Sequence, residues 1–350
     1  MYITDIFEKE NKKILEEVDR KVNTVMAEVK KSADKVVVGK AIWKLMAVPS
    51  IMFGRAVVPT CDTLIEALQR RENKIWRYLL DIGGYSTVDA LRGEIGTSLV
   101  RSRVMETTLQ YVRSVMNGKF ENIKEMMLDT IEVKTGKWYN MVNSYIEELG
   151  IRWEDLYQMD KMEIKRMIRN YDNRCWEDNL TIKSTMRFYK EGKARIGYES
   201  CYRNNTNSMF LARARTNSLK LEEAIGRGNK FYNKNCKLCG QEEEDMVHFT
   251  MICPALEGKR NYGIIDIRIQ DPEERMIELL FRQKKHQEVG KMIKNLWNRR
   301  KAILKYREEE NNKIRIMNDS VTSTRSDPGP RGYRYTPIDG RLGCRSMSKG

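Results

Sequence analysis

The chain has 350 residues, with 64 Lys and Arg against 49 Asp and Glu and a formal net charge of +15. With a pI near 9.4 and a mean hydropathy of −0.63, that surplus favours a polyanionic partner, because cations that neutralise phosphates release condensed counterions. The most apolar window, Ala41 to Gly54, is interrupted by Lys44 and Pro49 and is too short to span a bilayer, and the N-terminus lacks the basic-then-apolar order of a secretion signal, so neither membrane insertion nor export is expected.

Taken from the N-terminus, apolar periodicity predicts a mainly α-helical protein. Between Asn11 and Lys31 the positions Ile14, Leu15, Val18, Val22, Val25, Met26 and Val29 follow the helical repeat with Lys and Glu opposite, which predicts one long amphipathic helix. The apolar stretch Val36 to Val58 contains Pro49 and Gly54 and should break or kink. Leu64, Ile65, Leu68, Ile75, Trp76, Leu79 and Leu80 share one face of a helix over Asp62 to Leu80, with Asp62 placed to cap its first turn. Further helices are expected at about Arg101 to Met116, Ile123 to Val133, Lys137 to Leu149 and Lys161 to Asn170. The break at Gly150 to Trp153 and the polar run Tyr171 to Asn179 suggest a change of subdomain. Pro272 opens a helix through Phe281, and His286 to Tyr306 forms another around Val289, Met292, Ile293, Leu296 and Trp297. From Asn318 onward the loss of apolar periodicity predicts a disordered tail.

One constellation carries specific chemistry: Cys236-Lys-Leu-Cys239, then His248, then Cys253. Three thiolates and one imidazole at these intervals can close a tetrahedral zinc site, and a site with no open position is structural rather than catalytic. The chain has only 2 histidines and 7 cysteines, so accident is a poor account of this placement. Gly240 lets the backbone fold back under the metal, and Pro254 stops a regular element after Cys253. Cys61, Cys175, Cys201 and Cys344 are scattered, which suits an intracellular, reducing compartment, nucleus or cytoplasm, better than a disulfide framework.

The order Pro49-Ser-Ile-Met-Phe-Gly54, a helix ending at Leu80, Leu91-Arg-Gly-Glu-Ile-Gly96 with Arg103, an Arg-rich segment and the Cys-Cys-His-Cys cluster resembles the C-terminal part of a LINE-type reverse transcriptase, the polymerase of non-long-terminal-repeat retrotransposons. The resemblance spans about Gly39 to Arg260. It implies that residues 1–116 are the end of a polymerase with a thumb-like helical segment, 117–197 a helical connecting region, 198–317 a basic segment with a zinc knuckle (236–253) and following helices, and 318–350 the disordered tail. The chain departs from the family where activity is decided. No Asp-Asp dipeptide occurs, so the two-metal centre that activates a primer hydroxyl is missing, and no nuclease cluster follows Cys253. As it stands the chain is not expected to be an enzyme; it resembles a fragment of an RNA-directed DNA polymerase, separated from its polymerase core.

A knuckle this small needs its metal, which is expected to supply on the order of 10 kcal/mol of folding free energy and to hold cationic and aromatic groups toward nucleic acid. Arg213, Arg215, Arg227, Lys234 and Lys237 are the candidate phosphate contacts, with Phe231, Tyr232 and Phe249 as base-stacking groups. Template RNA or target DNA is the partner the resemblance implies. Plainer roles stand beside these: Phe249 and Ile252 as the knuckle's own core, Arg213 and Arg215 as a solvated helix face. The acids Glu242 to Asp245 would repel phosphate, so their loop should face solvent or attach to a basic patch elsewhere on the protein. Arg299-Arg300-Lys301 is one-sided enough to touch phosphate or serve as a nuclear address. Trp43, Trp76, Trp138 and Trp297 are expected in the core, and His286 on the surface without a partner. The rival function is a structural or protein-interaction module derived from a retrotransposon, which salt dependence of binding would separate from a phosphate binder.

Overall fold

Val18, Val22, Val25 and Val29 lie almost wholly buried along one side of α1 (Ile3–Lys30), each contributing about 1.5–3 kcal/mol by leaving water. The computed structural model, which describes residues 3–32, 34–83, 86–202 and 206–323, is mainly α-helical as the periodicity predicts. Against α1 pack α2 (Lys35–Ile42), a π-helical turn at Trp43–Ala47, α3 (Val48–Met52) and α4 (Asp62–Leu80). Trp43 meets Trp76 of α4 edge to face at 6.1 Å and donates its indole N–H to buried Glu72 at 2.9 Å. Asp62 is the first residue of α4 rather than its cap: Cys61 holds the cap position without a side-chain bond, and the Asp62 carboxylate accepts from Arg101 at 2.7 Å.

The Leu91–Gly96 segment, which carried part of the family resemblance, forms the buried centre of the molecule as α5 (Val88–Ile95), every residue from Asp89 to Ile95 being inaccessible. A helix buried on all sides must satisfy its polar groups internally. Arg92 does so in part: Nη2 pairs with Asp172 at 2.6 Å and Nη1 lies 3.5 Å from Asp89, while Nε has no hydrogen-bond partner; Asp172 also accepts from Ser102 at 2.9 Å. Trp176 donates to the Asp89 carbonyl at 2.8 Å and Tyr189 to that of Ala90 at 3.1 Å. Gly93 is required by this closeness, since a Cβ there would stand 2.1 Å from the Tyr189 hydroxyl.

Around α5 follow α6 (Val100–Met116), α7 (Glu121–Val133), α8 (Lys137–Leu149), α9 (Trp153–Gln158) and α10 (Lys161–Ile182), the last packing on both α5 and α6. Here the structure corrects the sequence: the polar run Tyr171 to Asn179 is the second half of α10, not a subdomain junction. Asp172 points inward to Arg92, so a charged residue occupies a core position and hides the helical stripe. Next come α11 (Arg187–Gly192), α12 (Thr206–Arg215), α13 (Glu222–Ile225), α14 (Pro272–Ile277) and α15 (His286–Ser323). Among the described residues there is no β-strand, only an isolated antiparallel bridge between Asn235 and Glu243.

Met1–Ala302 form one compact unit and Ile303–Gly350 a second, so the boundaries expected after residues 116 and 197 fall inside the first. Within the second, α15 continues past the expected end at Tyr306 and residues 318–323 are helical rather than disordered. Residues 307–316, rich in Glu, Lys and Arg, are good helix formers. The rest of the expected tail, 324–350, lies outside the described residues.

Candidate metal centre

The segment that carries the first ligand pair is folded by its backbone. The Glu244 amide donates to the Lys234 carbonyl at 2.9 Å and the Cys236 amide to that of Glu242 at 2.7 Å, which turns 234–244 back on itself. Between these legs the Gly240 amide closes on the Cys236 carbonyl at 2.7 Å, and Gly240 sits at φ +74°, a conformation that disfavours any other residue. The Cys-Lys-Leu-Cys-Gly turn therefore holds both thiols on its inner side.

The second pair is placed by a π-helical turn, His248–Ile252. In an α-helix, residues five apart diverge by roughly 140°. The i to i+5 hydrogen bond of the π turn, Cys253 amide to His248 carbonyl at 2.7 Å, brings the two side chains onto one face instead. The Asp245 carboxylate accepts from the His248 amide at 2.8 Å and starts the turn.

These two devices bring Sγ of Cys236, Cys239 and Cys253 and one ring nitrogen of His248 within 4.8 Å of one another. Cys236 Sγ lies 3.8 Å from Cys253 Sγ, and Cys239 Sγ 3.3 Å from His248 Nε2. A tetrahedral ion with sulfur bonds of about 2.3 Å would set its sulfurs about 3.8 Å apart, so the donor set fits such an ion. Cys236, Cys253 and His248 are buried and Cys239 is half-buried. Burial pushes the Cys236 thiol up to about 12, with Cys253 adding to the rise, and burial raises that of Cys253, with Cys239 adding to it. A cation held at the centre would supply the charge that makes both of them thiolates.

His248 Nδ1 stands 3.1 Å from Glu242 Oε2, so Nδ1–H donates to the carboxylate and the Nε2 lone pair is left to face the thiols. Sequence reading placed the Glu242 loop in solvent or on a basic patch and missed this role, although an acid six residues before a ligand histidine is the available signal. Glu242→Gln is expected to weaken metal affinity by about 10- to 100-fold, the usual cost of losing a carboxylate behind a ligand imidazole; competition with a chromophoric chelator measures it.

The loop acids divide. Glu242 and Glu243 are exposed, whereas Glu244 is buried and clasped by Arg300 of α15 at 2.6 and 2.7 Å. Arg300 also reaches Glu222 at 3.1 Å, and Phe249 packs edge to face on Trp297 at 6.3 Å. The attachment of this acidic loop to a cation elsewhere is thus present through Arg300, which leaves only Arg299 and Lys301 of that triplet exposed. Of the expected knuckle core, Phe249 is buried but Ile252 is exposed. Trp43, Trp76 and Trp297 are buried as expected, and Trp138 is half-buried with its indole on the Ala56 carbonyl at 3.0 Å.

The candidate phosphate contacts are all engaged within the protein. Arg213 binds the Asp81 carbonyl at 2.6 Å and pairs with its carboxylate; Arg227 pairs with Glu223 at 2.9 Å, Lys234 with Glu243 at 3.4 Å and Lys237 with Glu222 at 2.9 Å. Arg215 must leave the set. Its side chain is 1 % exposed, paired with Glu94 at 3.3 Å and Glu199 at 3.4 Å, and no phosphate can reach it. His286, expected without a partner, is half-buried with Nδ1 3.5 Å from the Arg215 guanidinium. Burial, with Arg215 beside it, lowers its pKa below the ordinary histidine value. Phe231 is fully exposed, while Tyr232 donates its hydroxyl to Glu222 at 2.6 Å.

Among the described residues, no helix is long and apolar enough to cross a membrane. Comparison with protein-family models, with curated proteins and with solved structures finds no match to the chain.

Proposed function

We propose that this chain is a zinc-scaffolded nucleic-acid-binding protein, equivalent to the C-terminal portion of a LINE-type reverse transcriptase that holds template RNA or target DNA while a polymerase centre supplied elsewhere does the chemistry. The carrying observation is the closed Cys236, Cys239, His248, Cys253 cluster, whose mixed thiolate and imidazole donors and tetrahedral spacing suit zinc over harder divalent ions. With four protein ligands the metal has no position for substrate, so its role is structural. The net charge of +15 supports a polyphosphate partner. Elemental analysis of the purified protein should return one zinc per chain, and its affinity for RNA or DNA should fall steeply as salt rises. Absence of stoichiometric metal, or binding indifferent to salt, would sink the proposal.

A second function, a protein-interaction module derived from a retrotransposon, is favoured by a separate surface. On and beside α7, Phe120, Ile123, Met126 and Val133 are exposed, next to a hollow of about 270 Å³ bordered by Val57, Tyr111 and Trp138. Complex formation that persists in high salt and is lost on Met126→Asp would support that role instead.

A further inference from the structure

The candidate contacts Arg213, Arg227, Lys234 and Lys237 are each paired with a neighbouring carboxylate. On α10 the situation is reversed. Lys161, Lys165, Arg166, Arg169 and Arg174 are exposed and, among the described residues, their side chains take part in no ion pair or hydrogen bond. The acids between Lys161 and Arg174 are Glu163 and Asp172. Glu163 accepts from the Asp160 amide at 2.7 Å in a capping box and Asp172 is buried against Arg92, and neither forms an ion pair with Arg166, Arg169 or Arg174.

These cations border a groove. Met159, Glu163, Arg166, Met167, Asn170 and Arg174 enclose a hollow of about 490 Å³. Arg166, Asn170 and Arg174 recur every ~6 Å along the helix axis, a ridge of donors suited to successive phosphodiesters. Met159 and Met167 are half-buried beside it, and the Met159 carbonyl is fixed by Arg113 at 2.9 Å. Thioethers make favourable contacts with aromatic rings and adapt to irregular shapes, whereas the faces of paired bases are occupied by stacking within a duplex.

We propose that this face of α10 binds a single-stranded polynucleotide, with phosphates held by Arg166, Arg169 and Arg174 and an unpaired base laid against Met159 and Met167. This rests on the nucleic-acid-binding function proposed above and goes beyond it by moving the interface from the metal centre to α10, where the charge is not already spent on intramolecular partners.

The full chain and its Arg166→Ala/Arg174→Ala variant are titrated with a short labelled single-stranded RNA, with the duplex of the same sequence and with anionic phospholipid vesicles, each over a range of salt. Losing two phosphate contacts should lower the slope of log affinity against log salt by about 1.4, so that between about 50 and 200 mM salt the unaltered protein loses about sevenfold more affinity than the variant. Lys220→Ala/Lys259→Ala removes the same charge from other exposed positions and should keep the original slope. An unchanged slope in the α10 variant of a protein that does bind RNA overturns the α10 site and leaves the nucleic-acid function standing. Preference for duplex, or an effect confined to vesicles, likewise overturns it. Salt-independent binding or no binding by the unaltered protein overturns both.

Discussion

Cys236→Ser is expected to abolish stoichiometric zinc and to unfold the segment around the metal while most of the helical signal survives. Binding of a structural zinc is worth on the order of 10 kcal/mol in small knuckles, comparable to the whole stability of a domain at about 5–15 kcal/mol. Apart from a metal, the segment is held by three backbone closures between residues 234 and 244, the Glu222 and Glu223 amides on Glu244, Arg260 on the Thr250 and Cys253 carbonyls, Phe249 on Trp297, and the Arg300 clasp on Glu244. The helical body is built from other contacts, α1 on α4 and α10 on α5 and α6, none of which includes a ligand residue. Metal loss should therefore open cleavage sites between about Leu221 and Arg260 in limited proteolysis while far-UV circular dichroism changes little. Loss of most helical signal instead would mean that the Arg300 clasp makes the metal loop and the helical body one cooperative unit, and chelation of the unaltered protein should then give the same collapse.

What the sequence revealed and what it concealed follow one physical division. The Cys and His cluster was legible because all four residues lie within one short stretch, where spacing alone fixes what can converge. Helices α1 and α8 were legible because each buries an apolar face, and α4 because its apolar positions outnumber the buried Glu72 and Asn73. The second half of α10 was not, because its inward positions include Asp172, acceptable in the core only with Arg92 opposite it, 80 residues away in the chain. The same holds for Arg300 and Glu244, separated by 56 residues, and for Arg215 and Glu94, separated by 121. A charged side chain read alone looks like a solvated or phosphate-seeking group; only the fold supplies the partner that takes it inside. The resemblance to a LINE-type reverse transcriptase singled out Leu91 to Gly96, and the burial of α5 gives those residues a structural reason to be what they are, independent of any catalytic role.

Arg215 turns that lesson into a measurement. Its guanidinium ends α12 and ties three elements together: Nε donates to the Leu280 carbonyl at 2.7 Å, Nη1 faces Glu94 of α5 at 3.3 Å, and the group lies 5.1 Å over the Phe281 ring. Glu94 is fully buried, with one oxygen accepting from the Tyr202 hydroxyl and Arg215 and the other without a partner. Truncating the arginine strands a carboxylate with a single remaining donor, and breaking a buried pair from one side costs about 3–5 kcal/mol. Arg215→Met should therefore lose roughly that much stability in urea denaturation, a large part of the stability of any domain. Glu94→Gln/Arg215→Met should recover a substantial share, since a neutral amide carries far less desolvation penalty than an unpaired carboxylate. RNA affinity per folded molecule should be unchanged in both variants. A cost below about 1 kcal/mol, the size of a surface pair, together with weakened RNA binding would mean that Arg215 meets phosphate after all and that its enclosure by Glu94, Glu199 and Phe281 is not the state that works.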